Sequence, residues 1–256
     1  MKRAGVIAAK DFRSLVTSPM FFLVAGFTSL LLSYSYLRTL KDFSESSLMA
    51  GMQMGQDSGA NIHFTVFMGH ISMSNLLFIL ITPAITMRLL AEERKMRTYD
   101  LLLTAPITAT DIALGKFLAA FGAGLVLMAL SLLYPLATRT IAEFSVQQLI
   151  TAYVGLGLVM GTYIAVGVFA SSLTESVLLA VVLGWILNLS LWFVAQGSSF
   201  FSGSGAMAVM EHLSIGQHFA NFARGTINLG SIAFMLSCMA FFVFLTQRVV
   251  ESSRWR

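Results

Sequence analysis

Six long stretches of the chain contain no Asp, Glu, Lys or Arg, and each has 22 or more residues. A helix needs about 20 consecutive apolar residues to cross a bilayer. The stretches do not alternate apolar and polar residues, as the strands of a membrane β-barrel would. They therefore predict six membrane-spanning helices, near residues 20–37, 64–87, 115–138, 149–171, 177–196 and 226–247.

The composition agrees with a chain that lies in lipid. Of its 256 residues, 57% are hydrophobic and 11% are charged, whereas soluble domains carry roughly 25% charged residues. We expect an all-α, polytopic membrane protein that forms a single transmembrane domain over residues 1–256. No cleaved signal peptide is expected, because the apolar run after Arg13 is too long and lacks a clear small-residue cleavage site.

The first 17 residues predict an amphipathic helix that lies on the inner leaflet. Its apolar arc contains Ala8, Phe12, Leu15 and Val16, and its basic residues, Lys2, Arg3, Lys10 and Arg13, fall in another arc. Lys10, Phe12 and Arg13 are the candidate anchors at the membrane interface. The alternative is a short polar extension of the first span. Ser18–Pro19 predicts a turn into the membrane, since proline suits a first helical turn.

The basic residues indicate which ends of the spans face the cytoplasm. With the N-terminus placed inside, 12 of the 16 Lys and Arg residues fall on the cytoplasmic side, the side that these residues prefer. Both termini are therefore predicted to be cytoplasmic. We interpret the net charge of +4 as a topology signal. No nucleic-acid partner is expected, because no basic patch with interleaved aromatic residues stands out.

A charged segment over residues 88–114 separates the second and third predicted spans. Good helix formers without Gly or Pro predict a helix from Leu89 to Leu103, which Pro106 ends. Thr108 is a candidate cap for the next helix, with Asp111 three residues later. The segment could be an ordinary solvated loop. However, the apolar triplet Leu101–Leu103 among mixed charges favours docking into a groove of a soluble cytoplasmic partner.

The sequence of this segment resembles a known family. Residues 81–120, ITPAITMRLLAEERKMRTYDLLLTAPITATDIALGKFLAA, are similar to the signature region of type 2 ABC transporter permeases, closest to the gliding-motility branch. The stretches 10–22, 165–176 and 218–228 also resemble that family. Arg97 stands where many relatives have Gly, and Asp100 where Glu is usual. The matching residues are Pro83, Arg88, Glu92, Glu93, Thr98, Leu101, Leu102, Leu103, Pro106, Gly115 and Lys116.

The resemblance implies a transmembrane subunit of the bacterial inner membrane, driven by a separate ABC ATPase subunit. The charged segment would be its coupling helix. The expected docking residues are Glu92, Glu93, Arg94, Arg97, Thr98, Asp100, Leu101, Leu102 and Leu103. A second permease copy or a related permease is also implied, because six spans are half of an exporter.

The chain itself lacks an ATP-binding motif. A P-loop reads G-x-x-x-x-G-K-[ST], but the Gly115–Lys116 pair follows Thr110 instead of a glycine and precedes Phe117. The chain is therefore not expected to be an enzyme, and it is expected to hold no cofactor. ATP and magnesium would belong to the partner ATPase subunit.

Other residues are weaker candidates. Gly157 and Gly161 allow close helix packing, either between subunits or within the chain. Asn75 and Asn188 are predicted to join helices or to line a substrate path. The outer histidines and nearby methionines are of the types that bind copper, but their spacing favours a polar rim, and no metal is predicted. The histidines are His63, His70, His212 and His218.

Two long segments join spans on the predicted outer side. Residues 197–225 are expected to form a re-entrant or interfacial segment, and this segment and the loop 38–61 are candidate contacts for an extracytoplasmic partner protein.

An ATP-independent secondary transporter or channel subunit is the alternative function. That class usually carries acids near the centres of its spans, which these spans lack. A membrane-embedded enzyme would need clustered catalytic groups, and none converge in the sequence.

Overall fold

The computed structural model describes residues 2–52, 61–99, 104, 106–142, 144–194 and 212–253. These residues contain helices and no strand, as the apolar stretches predict. The helices are α1 (Lys2–Val16), α2 (Pro19–Met52), α3 (His63–Lys95), α4 (Ala109–Thr138), α5 (Val146–Ser172), α6 (Val177–Phe193), α7 (Ile215–Ala223) and α8 (Leu229–Ser252).

Five helices, α2, α3, α4, α5 and α8, are long and apolar enough to cross a membrane. The sixth predicted span corresponds to α6, which has 17 residues in its described part. A helix of 17 residues is about 26 Å long, just short of a hydrocarbon core of about 30 Å. Five of the six predicted spans are thus confirmed as candidate membrane helices, and residues 195 and 196 lie outside the described part.

The helix α2 is longer than the sequence predicted. The sequence predicts a first span at 20–37 and a loop over 38–61, yet the helix continues to Met52. The loop prediction is therefore wrong for residues 38–52. The polar residues after Leu37 support helix instead: Lys41 lies 3.5 Å from Glu45 one turn later, and Ser46 donates to the carbonyl of Asp42. Such i,i+4 contacts stabilise an exposed helix.

The helix α5 is the centre of the bundle. In its most apolar window 83% of residues are buried, against 17% in α8, and it packs against α3, α4, α6, α7 and α8. Glycines permit these close approaches. Phe222 of α7 packs against Gly155, and Thr86 of α3 packs against Gly167. The peripheral helices α2 and α8 keep large apolar side chains exposed, which suits contact with lipid.

A pair of glycines on α5 gives a test of this packing. A Cβ atom at Gly155 would lie 2.2 Å from Cβ of Phe222, whereas one at Gly157 would lie 3.7 Å from Sδ of Met128, an ordinary contact. We expect Gly155→Ala to lower the free energy of unfolding by about 1–3 kcal/mol through overpacking. Gly157→Ala should be neutral or stabilising by up to about 1 kcal/mol, because alanine favours helix. Denaturant unfolding in detergent measures both, and equal effects would contradict the packing.

The bundle has two distinct ends. We call one of them the charged end. Its parts are joined by side-chain contacts, and they are α1, residues 88–99, residues 106–116, the turn at 173–176 and the last turn of α8. The other, the outer end, joins Tyr36 to Thr138 and His63 to the carbonyl of Ala223. The basic residues predicted to face the cytoplasm lie at the charged end wherever the structure describes them.

Candidate functional site

The charged segment begins as a continuation of α3. After Met87 the helix makes a π turn over Arg88–Glu92 and ends at Lys95. The prediction of one helix from Leu89 to Leu103 is therefore wrong at its centre. The chain turns at Met96 and Arg97 because the N–H groups of Arg97 and Thr98 donate to the carbonyls of Arg94 and Glu93, at 3.1 and 3.0 Å. This is the Schellman arrangement that closes a helix.

Arg97 adopts a left-handed backbone conformation at this helix end, with φ of 55°. Glycine usually occupies that position, since a Cβ atom there costs about 1 kcal/mol or more. The chain itself offers the comparison: Gly225, with φ of 84°, closes α7 with the same two hydrogen bonds. Arg97, which stands where many relatives have Gly, therefore falls at the end of α3.

The next helix begins as the sequence predicted. The hydroxyl of Thr108 accepts from the N–H of Asp111 at 3.1 Å, and the carboxylate of Asp111 accepts from the N–H of Thr108 at 3.2 Å. The capping box is confirmed, and it satisfies donors that a helix start leaves unpaired. It fixes the point at which the charged segment enters α4.

A buried ionic cluster joins three helices at the charged end. Nζ of Lys116 lies 2.9 Å from Oδ2 of Asp11 and 2.5 Å from Oε1 of Glu93. The Lys116 side chain is 2% exposed, and those of Asp11 and Glu93 are 9% and 20% exposed. A cation at this depth requires its partners, because an unpaired buried charge is strongly unfavourable. We call these three residues the ionic triad; it ties α1 and the end of α3 to the start of α4.

The N-terminal helix packs on α4 as well as facing outward. A Cβ atom at Gly115 would lie 2.8 Å from Cβ of Ile7, and one at Gly122 would lie 3.0 Å from the ring of Phe12. Phe12, predicted as a lipid anchor, thus packs partly against protein. Lys10 and Arg13 are exposed, as an interfacial role requires. α1 ends at Val16 and α2 begins at Pro19, which places a break in the helix at the predicted turn. The choice between an interfacial helix and a short polar extension of the first span stays a prediction.

Ser171 of the central helix holds the π turn of α3. Its hydroxyl accepts from the N–H groups of Leu90 and Ala91, at 3.3 and 3.1 Å, and donates to the carbonyl of Met87 at 3.0 Å. A π turn disrupts the regular helical hydrogen bonds. One buried hydroxyl therefore both satisfies the irregular backbone and attaches the charged segment to α5.

Among the predicted docking residues that the structure describes, three make side-chain contacts within the chain and two are exposed. Glu93 belongs to the ionic triad, and the carboxylate of Glu92 lies 3.8 Å from the guanidinium of Arg88. Arg94 donates to the hydroxyl of Ser253 at 3.1 Å, and its guanidinium lies over the ring of Tyr99. The exposed residues are Arg97 and Thr98. Asp100, Leu101, Leu102 and Leu103 lie outside the described residues.

Comparison with known proteins identifies the family. The model of the family described as ABC-2 family transporter protein matches residues 6–253. This chain belongs to the ABC-2 family. The match covers all the helices from the second turn of α1 to the end of α8. No curated protein matched the chain. Membership means that the chain is a transmembrane subunit of an ABC transporter and has no catalytic function of its own.

The small and amide residues predicted in the spans of this ABC-2 protein make contacts within the chain. The hydroxyl of Tyr163 donates to Asn75 at 3.3 Å, joining α5 to α3, and Asn188 donates to Thr82 at 3.4 Å, joining α6 to α3. Gly161 lies against Met239 of α8. These positions favour helix packing, because buried amides and small residues stabilise helix pairs in membranes.

The histidines of the ABC-2 protein lie towards the outer end, as predicted, but in separate contacts. His63 bonds to the carbonyl of Ala223, and His70 to that of Ser131. His218 bonds to Ser231 and to the carbonyl of His212. Among the described residues, no group of three or more His, Cys, Asp or Glu side chains lies close enough to hold a metal ion.

The outer segment 197–225 is described from residue 212 onward. There α7 is a short amphipathic helix, and its buried residues Ile215, Phe219 and Phe222 pack against the bundle, chiefly α5. It is about 13 Å long, too short to cross a membrane. The interfacial or re-entrant placement of the whole segment stays a prediction. Residues 197–211 lie outside the described part.

Sequence reasoning missed Asp11, Ser171 and the role of Lys116. Lys116 was noted only as part of a family motif, and its partners are 23 and 105 residues away along the chain. One signal was available: Asp11 is the single acid in α1, among several basic residues. Nothing in the sequence indicated that Ser171 would hold the backbone of α3.

Proposed function

We propose that this chain transmits the force of ATP hydrolysis from a separate ABC ATPase subunit to its own membrane helices. The ATPase would dock on the charged segment, and ATP with magnesium would bind only to that partner. A second permease copy or a related permease would complete the transporter. The outcome would be substrate export or conformational work across the bacterial inner membrane, with α6 as the sixth span and both termini in the cytoplasm.

The observation that carries this proposal is the set of attachments around residues 88–99. The ionic triad ties this segment to α1 and α4, Ser171 ties it to the central helix α5, and Arg94 ties it to the end of α8 at Ser253. A force applied to the segment would therefore act on four helices at once. Packed elements with discrete arrangements can carry such a displacement across a bundle.

The orientation has a simple test. A cysteine introduced at Thr98, in a background where Cys238 is replaced by serine, should react with a membrane-impermeant reagent only after the membrane is opened. A cysteine at Ile141, which is 82% exposed at the outer end, should react in intact cells. Labelling of both positions from the same side would contradict the proposed topology.

Copurification tests the function. The tagged chain, extracted from its native membrane, should retain a soluble ATPase subunit, and the complex should show vanadate-sensitive ATP hydrolysis. The chain alone should show none, since it lacks a P-loop. If the purified chain moved a substrate across vesicles without any ATPase subunit, it would act as a secondary transporter or channel, and the proposal would be wrong. The gliding-motility branch predicts that loss of the chain also stops surface movement of its host.

A further inference from the structure

A groove of about 1260 Å³ opens at the charged end, between the turn that closes α3 and the start of α6. One of its walls is basic: Arg94, Lys95 and Arg97 all line it. None of the three forms an ion pair with an acid in the described part of the chain. Glu175 lines the groove too, so its lining retains a net positive charge that suits an anion.

The facing wall is apolar. Val177, Leu178 and Val181 come from the first turns of α6, and Leu178 is 75% exposed. Met87, the last apolar residue of α3 before Arg88, also lines the groove. The groove therefore spans the boundary at which the apolar spans give way to the charged end. A ligand there would meet cations on one side and a hydrocarbon-like surface on the other.

The backbone of Arg97 adds an independent indication. This residue is held in a left-handed conformation that favours glycine, and the chain does use Gly225 at the equivalent position of α7. A residue other than glycine in this conformation costs about 1–3 kcal/mol, and such strain clusters at functional sites. The Arg97 side chain is exposed and borders the groove, so a charge stands beside the groove at a position where glycine would give the more stable turn.

We propose that this groove binds an anionic phospholipid of the inner leaflet, with the phosphate at Arg94, Lys95 and Arg97 and an acyl chain along α6. Basic pockets between membrane helices on the cytoplasmic side recognise anionic headgroups, and arginine matches the geometry of a phosphate. Both walls are needed: a soluble phosphate would leave the apolar wall exposed, and a lipid without net negative charge would leave the net positive charge of the groove uncompensated.

The binding assay uses the full chain in detergent, without an ATPase subunit, so its outcome does not depend on the proposed function. Native mass spectrometry measures retention of phosphatidylglycerol and of phosphatidylcholine with identical acyl chains. Phosphatidylglycerol should bind at least tenfold more tightly. Lys95→Ala and Arg97→Gly should each weaken its binding about fivefold, the contribution expected of one cation near a membrane surface.

Arg97→Gly is the decisive variant, because it removes the charge while relieving the backbone strain. It should lose lipid affinity without losing thermal stability, which excludes misfolding as the cause. Arg248→Ala is the matched control: Arg248 lies at the same end but pairs with Glu251 at 3.2 Å and does not line the groove. Its phosphatidylglycerol affinity should equal that of the natural chain.

Three results would overturn the proposal. The two lipids could bind equally well. The Lys95→Ala and Arg97→Gly variants could both bind phosphatidylglycerol as tightly as the natural chain does. Soluble glycerol phosphate could displace the lipid at an equal concentration, which would make the groove a site for a free anion. If the same variants instead released the ATPase subunit and left lipid binding unchanged, the basic wall would belong to the protein partner.

Discussion

Replacing Lys116 with methionine is expected to lower the free energy of unfolding by about 3 kcal/mol, because two buried carboxylates lose their shared cation. Methionine fills a similar volume, so the effect reports the charge rather than a cavity. Asp11 and Glu93 are only 9% and 20% exposed, and water cannot fully replace the ammonium group. Denaturant unfolding in detergent, followed by circular dichroism, measures the change.

The matched control is Lys10→Met. Lys10 lies 3.9 Å from the same Asp11, but its side chain is 74% exposed, and exposed ion pairs contribute only about 0–1 kcal/mol. Adding Asp11→Asn and Glu93→Gln to Lys116→Met should recover part of the lost stability, since no unpaired charge then remains buried. If Lys116→Met lowered the free energy of unfolding no more than Lys10→Met does, the ionic triad would not hold the helices together.

Leu102→Asp is expected to reduce the amount of ATPase subunit that copurifies with the chain by at least tenfold. An apolar side chain seated in a partner's groove is typical of the few residues that dominate an interface, and a carboxylate there would be buried without a partner. The expectation rests on the sequence pattern Leu101–Leu103. The amount of retained ATPase, measured against the amount of chain, gives the result.

Ile141→Asp is the control for that variant. It makes the same change from an apolar residue to a carboxylate, at a position 82% exposed between α4 and α5 at the outer end. Both variants should insert into the membrane normally, and Ile141→Asp should keep the ATPase. Retention of the ATPase by Leu102→Asp would remove the docking role of the triplet.

The sequence predicted the spans well because each is a long apolar run, and hydrocarbon admits few structures other than a helix. It placed the start of α3 and the ends of α4 and α5 within one or two residues. It failed after Leu37, where polarity was taken to end the helix. Polarity marks the end of the apolar layer, but the helix continues for another 15 residues, with Lys41 and Glu45 paired along an exposed face.

The candidate site was harder to predict, because its contacts connect residues far apart along the chain. Thr108 and Asp111 form a local pattern, and that capping box was predicted correctly. The ionic triad unites Asp11, Glu93 and Lys116 only after α1 packs on α4, which no local pattern specifies. The local pattern around Glu93 therefore predicted a docking residue but did not indicate its contact with Lys116. The turn at Arg97 was missed because arginine is normally a good helix former.

The most direct test follows movement from the charged end to the outer end. Spin labels at Ile141 and Leu229, both at least 80% exposed, would report the distance between the outer ends of α4 and α8. The labelled chain would lack Cys238 and be diluted with unlabelled chain. If the charged end transmits force to the bundle, trapping the ATPase complex with ATP and vanadate should change this distance in the natural chain and change it little in Lys116→Met. An unchanged distance in the trapped natural complex, or a change on adding ATP without the ATPase subunit, would contradict this transmission of force.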